Sequence, residues 1–123
     1  MEKERVRVGN ESEEVAFAAF NLGLIFKQQD RFSEAAEWMG EALRIFRLLK
    51  SDPNVSAALG NLGDICQRQG KLDEAITKHK ESMRMARRVH GNESEEVAGQ
   101  INHIAVCLQR QNEYDKAMDK FEQ

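Results

Sequence analysis

The sequence predicts an all-α fold, a solenoid of antiparallel helix pairs. Two observations lead there. First, Gly9-Asn10-Glu11-Ser12-Glu13-Glu14-Val15-Ala16 recurs letter for letter as Gly91-Asn92-Glu93-Ser94-Glu95-Glu96-Val97-Ala98, so a fixed repeat period is the first property to establish. Second, the apolar residues between these copies fall at helical spacing, and no segment alternates with the period of two that a strand requires.

A degenerate copy lies between the two identical ones, at Asp52-Pro53-Asn54-Val55. Val15, Val55 and Val97 are then spaced by 40 and 42 residues. The same register joins Leu22-Gly23, Leu62-Gly63 and Ile104-Ala105. It also joins Phe32, Leu72 and Tyr114, and again Ala35, Ala75 and Ala117. The chain divides into a segment 1–9 that reads as the end of a preceding helix, repeat one at 10–50, repeat two at 51–90, and an incomplete repeat three at 91–123.

Each repeat reads as two helices. In repeat one, Val15, Phe17, Ala18, Ala19, Leu22, Ile25 and Phe26 give the first a broad apolar face. Ala35, Ala36, Met39, Ala42, Leu43, Phe46 and Leu49 give the second a stripe. Ser12, Asp52 and Ser94 align at first-helix starts, where a side-chain oxygen accepts from free backbone N–H groups. Pro53 stands at a favoured early helical position. Asp30, Gly70 and Asn112 align at the turn between the helices, and all three residue types accept a left-handed conformation. Ser33, Asp73 and Asp115 follow near the start of each second helix. First helices are expected near 12–29, 53–69 and 94–111, and second helices near 33–50, 73–90 and 115–123.

Composition narrows the function classes. The 123 residues carry a net charge of −3, which implies no global attraction to nucleic acid or to an anionic membrane. No apolar run is long enough to span a bilayer, and no signal peptide is evident. Cys66 and Cys107 lie on apolar helix faces and read as small core residues in a reducing compartment. A cytoplasmic protein is expected. His79, His90 and His103 show no ligand spacing, so neither a metal site nor a cofactor is expected. The acidic pairs Glu13-Glu14 and Asp73-Glu74 sit in first turns, where they favour the helix dipole, and no nucleophile or phosphate-loop motif occurs, so no enzyme is expected. Arg84, Arg87, Arg88 and His90 similarly read as a basic helix end.

Leu22-Gly23, Phe26, Phe32, Ala35 and Ala42, with Leu62-Gly63, Leu72, Glu74-Ala75, Tyr114 and Ala117, resemble the tetratricopeptide repeat pattern over essentially the whole chain. The 40–42-residue period and the Asn-Leu-Gly of the first helix are similar to the long repeats of kinesin light chains, nephrocystin-3 and the LGN/Pins scaffolds. The sequence departs from the pattern in having its inter-repeat proline only at Pro53, and Cys66 and Leu108 where an aromatic is common. The resemblance implies a right-handed solenoid of about three repeats whose first helices line a concave groove for a protein or peptide partner. Its groove positions are Phe17, Phe20, Asn21, Leu24, Lys27 and Gln28 in repeat one. They are Ala57, Gly60, Asn61, Asp64, Gln67 and Arg68 in repeat two, and Gly99, Asn102, His103, Val106, Gln109 and Arg110 in repeat three.

The chemistry of those positions suits an extended acidic peptide. Asn21, Asn61 and Asn102 or His103 form a rung of groups able to donate and accept, which fits a peptide backbone. Gln28, Arg68 and Arg110 share one phase, with Lys27 beside Gln28, and put positive charge at one rim. Phe17 and Phe20 offer either an apolar pocket or a surface covered by a neighbouring chain. The alternative is a structural module that self-associates through exposed end faces and holds no peptide, with second helices truncated at both ends.

Overall fold

The computed structural model describes residues 12–122, and these form five helices without a strand among them. They are α1 (Glu13–Gln28), α2 (Phe32–Leu48), α3 (Asp52–Arg68), α4 (Leu72–His90) and α5 (Glu95–Glu122). The helix expected at 1–9 lies outside the described residues. Each helix packs on the next in sequence, and α1 also touches α3, as α3 touches α5. The first helices therefore form one layer and α2 and α4 the other.

Local chemistry sets the boundaries. Ser12 caps α1, its Oγ accepting from the Val15 N–H at 3.2 Å. Ser94 does the same for Val97 at the start of α5. The aligned cap at Asp52 is corrected: Ser51 is the capping residue of α3 and Asp52 the first helical one. Ser51 makes no side-chain bond to the helix backbone and instead accepts from Asn54 Nδ2 at 2.8 Å. Pro53 supplies no N–H, so less of the first turn needs capping.

The turns within repeats one and two close as expected. Asp30 and Gly70 take φ of 61° and 81°. Beyond them, the Arg31 N–H reaches the Phe26 carbonyl and the Lys71 N–H the Cys66 carbonyl, each at 2.9 Å. This is the 6→1 closure of a Schellman motif. The same closure ends α2, where Ser51 N–H reaches the Phe46 carbonyl at 3.0 Å around Lys50 at φ 55°. Lysine has no special turn propensity, and that left-handed residue was not legible in the sequence.

The third turn does not form. Helix α5 runs unbroken through Asn112, where a turn between 94–111 and 115–123 was expected. Asparagine permits a left-handed turn without requiring one, and Gln111 Nε2 bonds Asp73 Oδ1 of α4 just before the expected turn.

The core is the interface between paired helices. Ala16, Ala19, Ala35, Met39, Ala42, Ile45, Phe46, Val55, Ala58, Leu59 and Ile65 are essentially fully buried. Small residues permit the close approach. A Cβ added at Gly23 would lie 2.9 Å from Met39 Cε, and one at Gly63 would lie 2.7 Å from the His79 ring. Cys66 and Cys107 are free and buried in a second cluster with Leu72, Ala75 and Ile76. Burial raises both thiol pKa values, aided at Cys66 by Glu74. The core reading of both cysteines holds. None of the described helices is long and apolar enough to cross a membrane.

Candidate functional site

Helix α3 places Asn61, Asp64 and Arg68 one turn apart on the side facing α1, from which Lys27 reaches across. Lys27 Nζ lies 2.9 Å from Asn61 Oδ1 and 3.1 Å from Asp64 Oδ2. The Asn61 amide is fixed at its other end, where Nδ2 donates to the Ala57 carbonyl at 2.9 Å. Arg68 Nε stands 3.6 Å from the same Asp64 oxygen. Two cations thus share one carboxylate, and the Lys27–Asp64 pair is mostly shielded from solvent.

Beside this cluster opens a cleft of about 480 Å³, lined by Asp30, Phe32, Asp64, Gln67, Arg68 and Arg110. It takes residues from the turn of repeat one, from the start of α2, from α3 and from α5, so it exists only because successive repeats stack. The side-chain Oε1 of Gln67, which lines the cleft, is buried with no hydrogen-bond partner among the described residues.

A second polar group fills the layer between α3, α4 and α5. His79 is fully buried against Gly63 and stacks on His103, with ring centroids 4.6 Å apart and planes 3° from parallel. His79 Nδ1 lies 2.7 Å from Gln100 Oε1, so it carries the proton and donates. His79 Nε2 is buried without a partner among the described residues. Burial lowers the His79 pKa below 6.5, and neighbouring His103 adds to this. The Gln100 hydrogen bond and Asp64 act in the opposite direction. One turn along, Ser56 and Ser82 exchange bonds, each hydroxyl donating to the other's backbone carbonyl at 3.0 and 2.8 Å.

The expected site residues therefore separate into groups. Lys27, Asn61, Asp64 and Arg68 form one network, and Arg110 joins it through the cleft. Asn21, Gln28 and Asn102 are exposed and do not line that cleft. His103 and Leu24 are half-buried, the first on His79 and the second against the core. Phe17 and Phe20 lie edge-on to the buried Phe46 ring, with centroids 5.1 and 6.4 Å away. They are covered in part by their own chain. Asp30 in the turn and Phe32 at the start of α2 also line the cleft, and both fall outside the first-helix phase that the sequence singles out. His79 has no ligand spacing to mark it in the sequence. Its signal was the register that sets it opposite a glycine, in the place Met39 holds in repeat one. Among the described residues no group of three or more His, Cys, Asp or Glu is arranged to hold a metal ion.

Comparison with known proteins agrees with this architecture. Two models of the tetratricopeptide repeat match, one over residues 54–123 and one over 21–49. No curated protein matches the sequence. Among solved structures, the chain is similar to BtubC (BKLC) from P. vanneervenii, with a TM-score of 0.66 and 24% identity over 95% of this chain and 53% of that one. It therefore spans about half the length of that protein. It is also similar to the TPR domain of Arabidopsis FLU, with a TM-score of 0.61 and 21% identity over 87% of this chain and 94% of that one. At these identities the likeness is one of fold. The family match covers more than half of the chain, and the paired helices with small residues at their crossings follow the same pattern: the chain belongs to the tetratricopeptide repeat family.

Proposed function

We propose that the chain binds an extended acidic segment of a partner protein in the cleft between repeats one, two and three. Tetratricopeptide repeat domains generally mediate protein–protein interaction, and the finer reading rests on the cleft. The observation that carries it is the convergence of Arg68 and Arg110 on one opening whose central carboxylate, Asp64, is already engaged by Lys27. Guanidinium groups with free donor positions recognise carboxylates in paired geometry. Gln67 lines the same opening and adds a side-chain amide, a group able to donate and to accept. Asn21 and Asn102, exposed on α1 and α5, are free to add polar contacts to a segment long enough to run beyond the cleft.

The test is fluorescence anisotropy with labelled ten-residue peptides of matched composition in acidic, neutral and basic versions. Acidic peptides bind best, and binding weakens as salt rises. Arg68→Glu with Arg110→Glu lowers that affinity by roughly tenfold or more, the scale of losing charge-assisted hydrogen bonds, with helix content unchanged. Equal affinity for acidic and basic peptides would remove the proposal.

A further inference from the structure

One glutamate–arginine pair meets different fates in repeats one and two. In the repeat register, Glu41 and Arg44 of α2 match Glu81 and Arg84 of α4. In repeat one the two residues pair along the helix. Arg44 Nε lies 3.1 Å from Glu41 Oε1, and Nη2 lies 2.7 Å from Oε2. In repeat two Glu81 turns instead to Arg47 of α2, whose Nη2 donates to its Oε2 at 3.3 Å. Arg84 keeps the spacing that would pair it, yet it is exposed and makes no hydrogen bond or ion pair among the described residues.

The free guanidinium stands at a cleft of about 240 Å³ between α2 and α4. Arg47, Glu81, Arg84, Met85 and Arg88 line it, with buried Leu59 of α3. Arg88 is loosely engaged, 3.6 Å from Asp52 Oδ2, with its side chain 69% exposed. Three guanidinium groups against one carboxylate leave the lining with two positive charges in excess. A helix C-terminus attracts cations in its last turn, which accounts for Arg87, Arg88 and His90. Arg84 stands before that turn, and its convergence with Arg47 of another helix is a product of the packing. All the walls come from α2, α3 and α4, at the junction of repeats one and two. None is shared with the Arg68–Arg110 cleft.

We propose that this cleft binds the phosphate of a phosphorylated serine or threonine on a partner protein. Such a group carries about −1.5 to −2 charge at pH 7, which matches the excess in the lining, whereas a carboxylate leaves part of it unmatched. Its three oxygens accept from forked guanidinium donors. Arg84 offers its whole fork, and Arg47 donates to Glu81 through Nη2 alone. Leu59 and Met85 give the cleft an apolar side for the carbon that bears the phosphate. With half the volume of the Arg68–Arg110 cleft, it suits one side chain rather than an extended segment. The chain's net charge of −3 gives no general attraction to a polyanionic surface, so the anion is recognised locally, on a protein. This site does not rest on peptide binding in the other cleft.

The test keeps the two clefts apart by using the chain that carries Arg68→Glu and Arg110→Glu. Anisotropy compares three labelled peptide mixtures with degenerate flanks and a fixed centre of phosphoserine, serine or glutamate. The phosphoserine mixture binds more tightly than the other two by roughly tenfold or more. Adding Arg84→Gln removes most of that preference and leaves helix content unchanged, since Arg84 has no partner in the fold. On the unaltered chain, titration with O-phosphoserine shifts the Nε–H resonances of Arg47, Arg84 and Arg88 to saturation and leaves that of Arg31 in place. Equal binding of the phosphoserine and glutamate mixtures overturns the proposal. So does a preference that survives Arg84→Gln, or a titration that moves every exposed arginine alike. Capture of vesicles containing phosphatidylinositol phosphate, lost with Arg84→Gln, beside no capture of the phosphoserine mixture would give the cleft to a lipid headgroup and overturn it as well.

Discussion

His79 and His103 lie face to face in the layer between α4 and α5, 4.6 Å apart and within 3° of parallel. Two cationic rings so placed would repel, and His79 is fully buried with one nitrogen unpartnered. The packing therefore requires a neutral His79, consistent with its lowered pKa. The sign follows by linkage. An unfolded histidine takes up a proton below about pH 6.5 while the folded one does not, so stability is complete above that value and falls as pH drops below it. Asp64 across on α3 and the Gln100 hydrogen bond moderate the effect and do not reverse it. His79→Met installs the residue that repeat one uses at this position against Gly23. Urea unfolding between pH 5 and pH 8 is expected to show a flatter pH profile for the variant. The lost Gln100 hydrogen bond costs about 1 kcal/mol at pH 8. An unchanged acid slope would show that another group drives it.

Glycines in this chain divide by what stands opposite. A methyl at Gly63 would lie 2.7 Å from the His79 ring, which is rigid, buried and stacked on His103, so it has no room to give way. Gly63→Ala should force α3 and α4 apart and cost about 2–3 kcal/mol, the range for overpacking a core. Gly40, in the middle of α2, has open space where its methyl would stand, with no atom within 4 Å. Gly40→Ala should therefore stabilise by about 0.5–1 kcal/mol through helix propensity. Thermal unfolding of the two variants beside the parent chain checks both signs. Combining Gly63→Ala with His79→Ala should recover part of the loss, because the second change removes the ring that the first one strikes.

The repeat made the helix layer legible. Val15, Val55 and Val97 fixed a register from which the turns at Asp30 and Gly70 and the buried Ala35 and Ala75 follow directly. Side-chain partnerships were not legible, because they depend on the rotation of one repeat against the next. Asn61 belongs to a periodic rung in the sequence, yet in the fold its amide is held by Lys27 from the neighbouring repeat. His79 and His103 are distant in sequence and in contact only because α5 packs on α4. The continuous helix at Asn112 escaped for a different reason. Asparagine permits a turn without requiring one.

The cap residues offer a small, separable test. Ser12 accepts from the Val15 N–H, whereas Ser51 at the start of α3 makes no bond to the backbone of the helix it precedes. Ser12→Ala is expected to cost about 1 kcal/mol, the usual worth of an N-cap, and Ser51→Ala only a few tenths. Hydrogen exchange resolves where the loss falls: faster exchange at the first amides of α1 in the first variant and little change in α3 in the second. Equal losses would mean that Ser51 caps α3 after all.

Lys27 and Asp64 join repeats one and two across the first-helix layer, with side chains only 19% and 23% exposed. A pair this shielded should outweigh a surface ion pair, worth up to about 1 kcal/mol, without reaching the roughly 3–5 kcal/mol lost when one partner of a fully buried pair is removed. Lys27→Met keeps the aliphatic stem and leaves Asp64 with Arg68 at 3.6 Å, so a loss of about 1–2 kcal/mol is expected. Asp64→Asn acts on stability in the same direction, since Lys27 and Arg68 lose their shared carboxylate. On binding, the two variants part. Removing Asp64's charge frees both cations toward the cleft and should tighten an acidic peptide several-fold, while Lys27→Met should weaken it. A double-mutant cycle in denaturant measures the pair, and anisotropy with the acidic peptide measures the cleft. Weaker peptide binding by Asp64→Asn would mean that the carboxylate positions the two cations rather than competing for them.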